Sequence, residues 1–273
     1  MKIYAITRRK DMSKKFIQII VLLTFFSLSI FAQQKLILIG GGERTNDVLA
    51  KLVELSGSEK GKILMITWAS GVPEESFEAF KTDIEKVSKI SVEKAPFSPL
   101  NAESKQQFLQ QLKEASGVFF GGGDQNRVME VLQDKMLFDA LTEKYRNGTV
   151  FAGTSAGTAI MSKIMITGEG DFTVIDGNKV ETKDGLGLLP EVIVDQHFIV
   201  RQRQNRLIGL VLKNPNLLGI GIDEDTAFFV TDNRFGEVLG TSQVMIFDAR
   251  KEPIRFFLLK SGDKFDLKKR KSK

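Results

Sequence analysis

The 273-residue sequence predicts an α/β fold: a three-layer sandwich with a mainly parallel central sheet between two layers of helices. Short apolar runs alternate with segments of helical spacing, and three of the runs end in glycine-rich turns, the pattern of strands joined by crossover helices. Lys35–Ile39 is a buried strand entering Gly40-Gly41-Gly42. Asn46–Leu55 sets Val48, Leu49, Leu52 and Val53 on one helical face. Residues 63–67 form a second strand, and Pro73 opens a helix running through Phe77, Phe80, Ile84 and Val87. Residues 92–95 read as a third strand and 103–115 as an amphipathic helix. Gly117–Phe120 is a strand ending in Gly121-Gly122-Gly123, with a helix over 126–132. Residues 149–152 are another strand, followed by Gly153-Thr154-Ser155-Ala156-Gly157 and an apolar helix. Ligands bind at the carboxyl ends of such strands, where the glycine turns sit. After Asp171 the pattern becomes hairpin-like around Asp176-Gly177-Asn178 and Gly185-Leu186-Gly187, with paired strands in 218–230 and 244–247. No linker divides residues 33–273, which read as one domain.

Residues 1–32 read as a secretory signal peptide. Lys14 and Lys15 precede an apolar run over 16–31, and Ala32 gives way to Gln33-Gln34. The run is short for a membrane span, and no cysteine follows to carry a lipid, so no stable anchor is expected after cleavage. Export to the periplasm or the exterior follows. Met12 offers an alternative start. The formal charge of +5 resides in this segment: six basic residues and one acid lie within 1–32, and the remainder carries 33 of each sign. The basicity therefore gives no argument for nucleic acid. The basic tail, residues 268–273, reads as a frayed, solvated end. With no cysteine there is no disulfide, thiolate nucleophile or cysteine-based metal site, and one histidine excludes a multi-histidine centre. No metal or organic cofactor is expected.

Three segments that end apolar strands carry the chemistry. Gly153-Thr154-Ser155-Ala156-Gly157 fits a G-x-S-x-G elbow, with Ser155 lifted above the sheet edge and the Ala156 N–H facing a developing oxyanion. The bland alternative is Ser155 as a helix N-cap. Asp195-Gln196-His197-Phe198 holds the lone histidine. Asp223-Glu224-Asp225 supplies a carboxylate for an imidazole, and the residues alone leave all three acids open. The order Ser, His, acid differs from that of α/β-hydrolases and points to the topology of glutaminase-type domains. Phe119-Phe120-Gly121-Gly122-Gly123-Asp124-Gln125 lacks the Lys-Ser/Thr of a phosphate loop but suits a second oxyanion donor, Gly122 or Gly123. Gly40–Gly42 reads as a structural turn. Arg201, Arg203 and Arg206 follow the histidine and could receive carboxylates, unless they form a basic helix face.

At these residues the sequence resembles the cyanophycinase family of serine peptidases, relatives of peptidase E with a class I glutamine amidotransferase-like, flavodoxin-like fold. The resemblance covers nearly all of residues 33–273. It implies Ser155 as nucleophile, His197 as general base and Glu224 as orienting acid. It also implies Gln125, Asp195, Gln196, Arg201, Arg203 and Arg206 as substrate-binding residues, and a homodimer. The implied substrate is a peptide or polymer: an aspartate backbone bearing arginine on each β-carboxyl, cut to release β-aspartyl-arginine. The expected reaction is acyl transfer from the β-carboxyl carbon of an isopeptide-linked aspartate through a serine ester. A peptidase E-type aspartyl dipeptidase and a secreted binding protein without turnover are the alternatives.

Overall fold

Strands buried on both faces build the centre of the molecule. In the computed structural model, which describes residues 32–273, β1 (Lys35–Ile39), β2 (Lys62–Ile66), β3 (Ser91–Lys94), β4 (Gly117–Phe120) and β5 (Val150–Thr154) are parallel, in the order β3–β2–β4–β5–β1. Successive side chains point to opposite faces of a strand. Leu36, Leu38, Leu64, Val118, Phe120 and Phe151 thus enter one core. Ile37, Ile39, Ile63, Met65, Phe119 and Ala152 enter another. The first core is covered by α3 (Ala102–Glu114), α4 (Gln125–Val131), α5 (Lys135–Arg146) and the short α6 (Ala156–Ala159), through Phe108, Leu112, Val128, Leu137 and Leu141. The second is covered by α1 (Asn46–Leu55) and α2 (Pro73–Glu85), where Phe80 stacks on Phe119 with ring centroids 4.0 Å apart. This is the expected three-layer α/β sandwich. Strands β3–β2–β4–β5 follow the flavodoxin-like order, and β1 fills the fifth place.

Beyond β1 the sheet turns antiparallel through β10 (Thr226–Thr231), β11 (Phe235–Gly240), β14 (Lys264–Asp266) and β15 (Lys271–Ser272). A second sheet, ordered β13–β12–β9–β8, holds β8 (Val192–Gln196), β9 (Leu218–Ile222), β12 (Gln243–Asp248) and β13 (Arg255–Lys260). Helix α7 (Gln204–Lys213) packs on it through Leu207, Leu210 and Val211. The strands β6 (Ile164–Gly170) and β7 (Val180–Asp184) form a separate hairpin. Gln33–Lys273 is one compact unit; the body of the expected signal peptide, residues 1–31, lies outside the described residues.

Several expectations need correction. Helix α5 lies outside the sequence-based expectations, and α7 starts after Arg203, so Arg201 is not part of a helix face. The strands within 218–230 fall in different sheets: β9 pairs with β12 in the second, while β10 pairs with β1 in the first. Gly185-Leu186-Gly187 is not a hairpin; the Leu186 N–H donates to Ile160 O at 2.7 Å and leads the chain from β7 to β8. The turn at Asp176-Gly177-Asn178 does join two antiparallel strands, β6 and β7.

The tail is not frayed. Lys271–Ser272 pair with β14, and Arg270 is buried, donating to Asp248 Oδ1 at 2.5 Å and to the Asn216 carbonyl. A charge run read by sign alone conceals this, because one guanidinium of the run has a buried partner. Asp248 is fully buried and also meets Arg250 and Arg255. Burial alone would raise its pKa, but Arg270 and Arg250 outweigh that and lower it to about 2. Removing one partner of a buried pair costs about 3 kcal/mol, so Arg270→Ala should be less stable by roughly that amount in urea unfolding at pH 7. The depressed carboxyl stabilises the fold above its unfolded pKa of about 4. That increment disappears as pH falls towards 2, so the deficit of the variant should shrink in acid.

Candidate active site

The carboxyl end of β1 frames the site. Three successive carbonyls there hold three separate segments. Ile39 O accepts from the Ser155 N–H at 3.1 Å and from the Thr158 hydroxyl at 2.6 Å. Gly40 O accepts from the His197 N–H at 2.7 Å, and Gly41 O from the Asp225 N–H at 2.9 Å. Glycine is required at this edge. A Cβ on Gly41, whose φ is 119°, would lie 2.1 Å from Cε1 of the His197 ring, and one on Gly40 would overlap the Asp223 carbonyl. The Gly40–Gly42 turn is thus the seat of the site as well as a structural turn. Its signal in the sequence was the glycine at the end of a strand, which by itself does not tell a seat from a bend.

Ser155 follows β5 with φ 52° and ψ −113°, a conformation costing a non-glycine residue on the order of 1–3 kcal/mol. The surroundings impose it. Gly153 and Gly157 pass so closely that a Cβ on Gly153 would overlap the Gly157 carbonyl, and one on Gly157 would overlap the Phe120 carbonyl. The Thr158 hydroxyl also lies 2.7 Å from Gly153 O, so its one proton is shared between that carbonyl and Ile39 O and ties the turn to β1. Although Ser155 occupies the N-cap position of α6, its hydroxyl makes no capping bond. It lies 2.8 Å from His197 Nε2 instead.

His197 Nδ1 lies 2.5 Å from Glu224 Oε1. The three acids therefore separate by task. Asp223 is buried and structural: its Oδ1 accepts from the N–H groups of Ile199 (2.9 Å) and Val200 (3.0 Å), and its Oδ2 from the Ser242 hydroxyl (2.8 Å). Asp225 Oδ1 accepts from the Glu43 N–H at 2.6 Å. Glu224 alone of the three faces the imidazole. Ser242 was not singled out in the sequence; nothing in its local pattern marks it.

The glycine loop after β4 lies beside the serine. A Cβ on Gly122 would be 3.5 Å from Ser155 Cβ, while Gly123 (φ 133°) is pressed against the Ala69 carbonyl. Among the described residues, the amides of Gly122, Gly123 and Ala156 have no acceptor, leaving donors for an oxyanion.

The pocket residues expected from the sequence divide. Arg206 is not available to a ligand. Its guanidinium makes a two-point pair with Asp195, Nε–Oδ2 being 2.7 Å, and both residues are buried, at 2% and 1% exposure. Asp195 is correspondingly spent on Arg206 and on the Gln196 N–H (2.8 Å). Gln196 accepts from Arg203 NH1 through its carbonyl (2.8 Å) and its side-chain oxygen. Gln125 is also committed, its Nε2 donating to Ile166 O and Thr167 O at 2.8 Å each. Arg201 is open, with a side chain 53% exposed and Nε 3.9 Å from Glu224 Oε1. Arg203 is partly open, with NH1 alone engaged in hydrogen bonds.

Electrostatics follow from this crowding of cations. Burial, then the neighbouring Arg206, pull the Arg203 pKa down to about 10. An anion at its free edge would relieve that. Burial is also the main cause holding the His197 pKa below the usual imidazole value; Glu224 opposes it and Arg201 adds to it. The ring is thus neutral near pH 7 and able to accept a proton. Removing a cation that depresses it must raise the midpoint, and removing the carboxylate that supports it must lower it. Arg201→Ala should titrate above the wild type and Glu224→Gln below. NMR of the sole imidazole, in protein without a histidine tag, reads both directly.

Known proteins resemble this chain in sequence and in fold. The family model described as "Peptidase family S51" matches residues 36–238. The chain is 34% identical over 255 residues to the "Cyanophycinase" of Trichormus variabilis, covering 86% of each chain. It is 24% identical over 208 residues to the "Peptidase E" of Actinobacillus pleuropneumoniae, covering 73% of this chain and 84% of that one. Its fold matches the crystal structure of a peptidase from an acI-B1 Actinobacterium with a TM-score of 0.65 at 23% identity, covering 85% of this chain and 96% of the other. The chain therefore belongs to peptidase family S51 and is a hydrolase of the serine-peptidase type.

Proposed function

We propose that the protein cleaves cyanophycin, the polymer of aspartate with arginine on each β-carboxyl, into β-aspartyl-arginine. The observation that carries this is the hydrogen-bonded line Glu224–His197–Ser155 at a strained elbow, in a chain 34% identical to a cyanophycinase. His197 Nε2 takes the Ser155 proton as Oγ bonds to the scissile carbonyl carbon. The carbonyl oxygen becomes an oxyanion facing the amides of Ala156 and the Gly122–Gly123 loop. Collapse expels an amine, which takes the proton from His197 and leaves an ester on Ser155. Water, deprotonated by His197, then hydrolyses the ester and restores the serine. Glu224 holds the ring and stabilises its charged form.

Atom balance corrects the expected point of attack. Attack at the β-carboxyl carbon would free arginine. Release of β-aspartyl-arginine leaves the isopeptide bond intact, so Ser155 attacks the α-carbonyl that joins one backbone aspartate to the next. Each arm of the polymer ends in a carboxylate and a guanidinium. Arg201 and the free edge of Arg203 suit the carboxylates; Arg206 serves by holding Asp195 and the floor of the pocket.

The leader-like residues 1–32 support export, with polymer from outside the cell as the substrate; cell fractionation tests this. Incubating the purified protein with cyanophycin should give β-aspartyl-arginine by mass spectrometry. Free arginine would point to isopeptide cleavage, and turnover of short Asp-X peptides alone to the peptidase E-type activity. Ser155→Ala should lose at least about 10⁴-fold in kcat with its fold intact, and Glu224→Gln about 10⁴-fold. Full activity in Ser155→Ala would overturn the serine mechanism.

A further inference from the structure

We infer that the β6–β7 hairpin is a strap holding the two sides of the cleft in register, and that Gln125 is its positioning residue. Gln125 acts through the Gly122–Gly123 loop and does not touch the substrate. This rests on the serine-hydrolase reading of the site but not on the identity of the polymer.

The strap has two anchors. At the first, Gln125 directly follows the glycine loop and opens α4, with 7% of its surface exposed. Its Nε2 meets two consecutive carbonyls of β6, Ile166 O and Thr167 O. The β6–β7 ladder breaks beside these carbonyls. It pairs Ile166 with Thr182 and resumes at Gly170 with Val180, leaving Thr167 outside the regular pairing. Gly168 and Gly170, with φ of 106° and 134°, allow the bend. Buried carbonyls need donors, and a primary amide carries two N–H groups on one nitrogen. Methionine has similar length and no donor; asparagine has the donors on a shorter arm. Beside this anchor, Lys183 Nζ on β7 donates to Asn126 Oδ1 at 3.2 Å.

At the second anchor the hairpin loop lies on the arginine helix. A Cβ on Gly209 of α7 would be 2.8 Å from Gly177 N, so the two backbones touch. Asn205 Nδ2 donates to Phe172 O (3.3 Å) and Thr173 O (3.4 Å), and the Arg206 guanidinium covers the Phe172 ring at 5.0 Å. One hairpin thus connects the loop bearing the oxyanion donors to the helix that follows Arg203. Loosening the first anchor displaces the donors while leaving Ser155, His197 and the arginines in place.

The test compares Gln125→Met with the wild type by two rates: labelling of Ser155 by a small uncharged fluorophosphonate, and hydrolysis of cyanophycin. Thermal unfolding checks the fold. The expected result is a joint loss of about 100-fold in labelling rate and kcat, the scale of one lost oxyanion donor, with KM changed by less than about threefold. Gln125→Asn, which keeps the donors, should show a smaller loss of the same pattern and serves alone if Gln125→Met does not fold. Higher KM with an unchanged labelling rate would mean that Gln125 touches the substrate, and would overturn the inference. Unchanged labelling and kcat would overturn it as well. Labelling needs no polymer. A wild type that labels at Ser155 but leaves cyanophycin intact refutes the proposed substrate while the labelling rates still decide the strap. A wild type that does not label refutes both.

Discussion

Everything chemical in this molecule hangs on three adjacent carbonyls at the end of β1. Ile39, Gly40 and Gly41 accept from Ser155, His197 and Asp225, which arrive from β5, β8 and β9. The spacing of carbonyls along one extended strand end therefore sets the spacing of the nucleophile, the base and the residue that follows the acid Glu224. Each bond has a partner that cannot be replaced by water at little cost, because an unpaired buried polar group costs about 1–3 kcal/mol. The arrangement works only if the imidazole can lie against bare backbone, which is why Gly41 carries no Cβ. The strain at Ser155 belongs to the same frame. Its N–H meets Ile39 O at a positive φ, with its hydroxyl on His197 and not capping α6.

Local patterns in the sequence reported the parts of this site that obey local rules. The elbow was legible because its glycines, serine and flanking strand and helix lie within a dozen residues. His197 was legible because it has no competitor in the chain. The parallel half of the sheet was legible because strand and helix periods alternate cleanly there. Choices made at long range were not legible. Asp223, Glu224 and Asp225 are equivalent as letters, and only the path of the chain from the second sheet into the first gives each its own partner. Arg206 reads like Arg201 until a buried Asp195 is found opposite it. Arg270 reads like its lysine neighbours until Asp248 is found beneath it. A guanidinium is assigned by its partner, and partners distant in sequence leave no periodic trace.

The arginines also show how the cleft acquires its charge. Arg206 and Asp195 cancel within the protein, and so anchor the floor without attracting a ligand. Arg203 lies between that neutral pair and the open cleft, with its charge disfavoured by burial and by its neighbours. Arg201, exposed beside Glu224, adds a positive edge. The result is a cation poised for an anion that the protein itself does not supply. The same field bears on the base: burial is the main cause that depresses His197, and Arg201 adds to it. An anionic ligand near Arg201 would weaken that depression once bound. Binding and base strength are thus linked through one exposed guanidinium, and a bound carboxylate makes His197 a stronger base.

The chain order of serine, histidine and acid follows from the division of strands between the two sheets. Ser155 leaves the first sheet beside β1, whereas His197 and Glu224 leave neighbouring strands of the second. The line from acid to nucleophile therefore crosses from one sheet to the other, and sliding between them would break it at the His197–Ser155 bond. Asp223 stiffens the second-sheet side of that line. It lies where the chain departs β9 for β10, and it binds the turn after His197 through two N–H groups and the start of β12 through Ser242. An acid one residue away from the working carboxylate thus does no chemistry itself. It fixes the second sheet to the turn that carries the base, and this is why three consecutive acids can occur where the relay uses one.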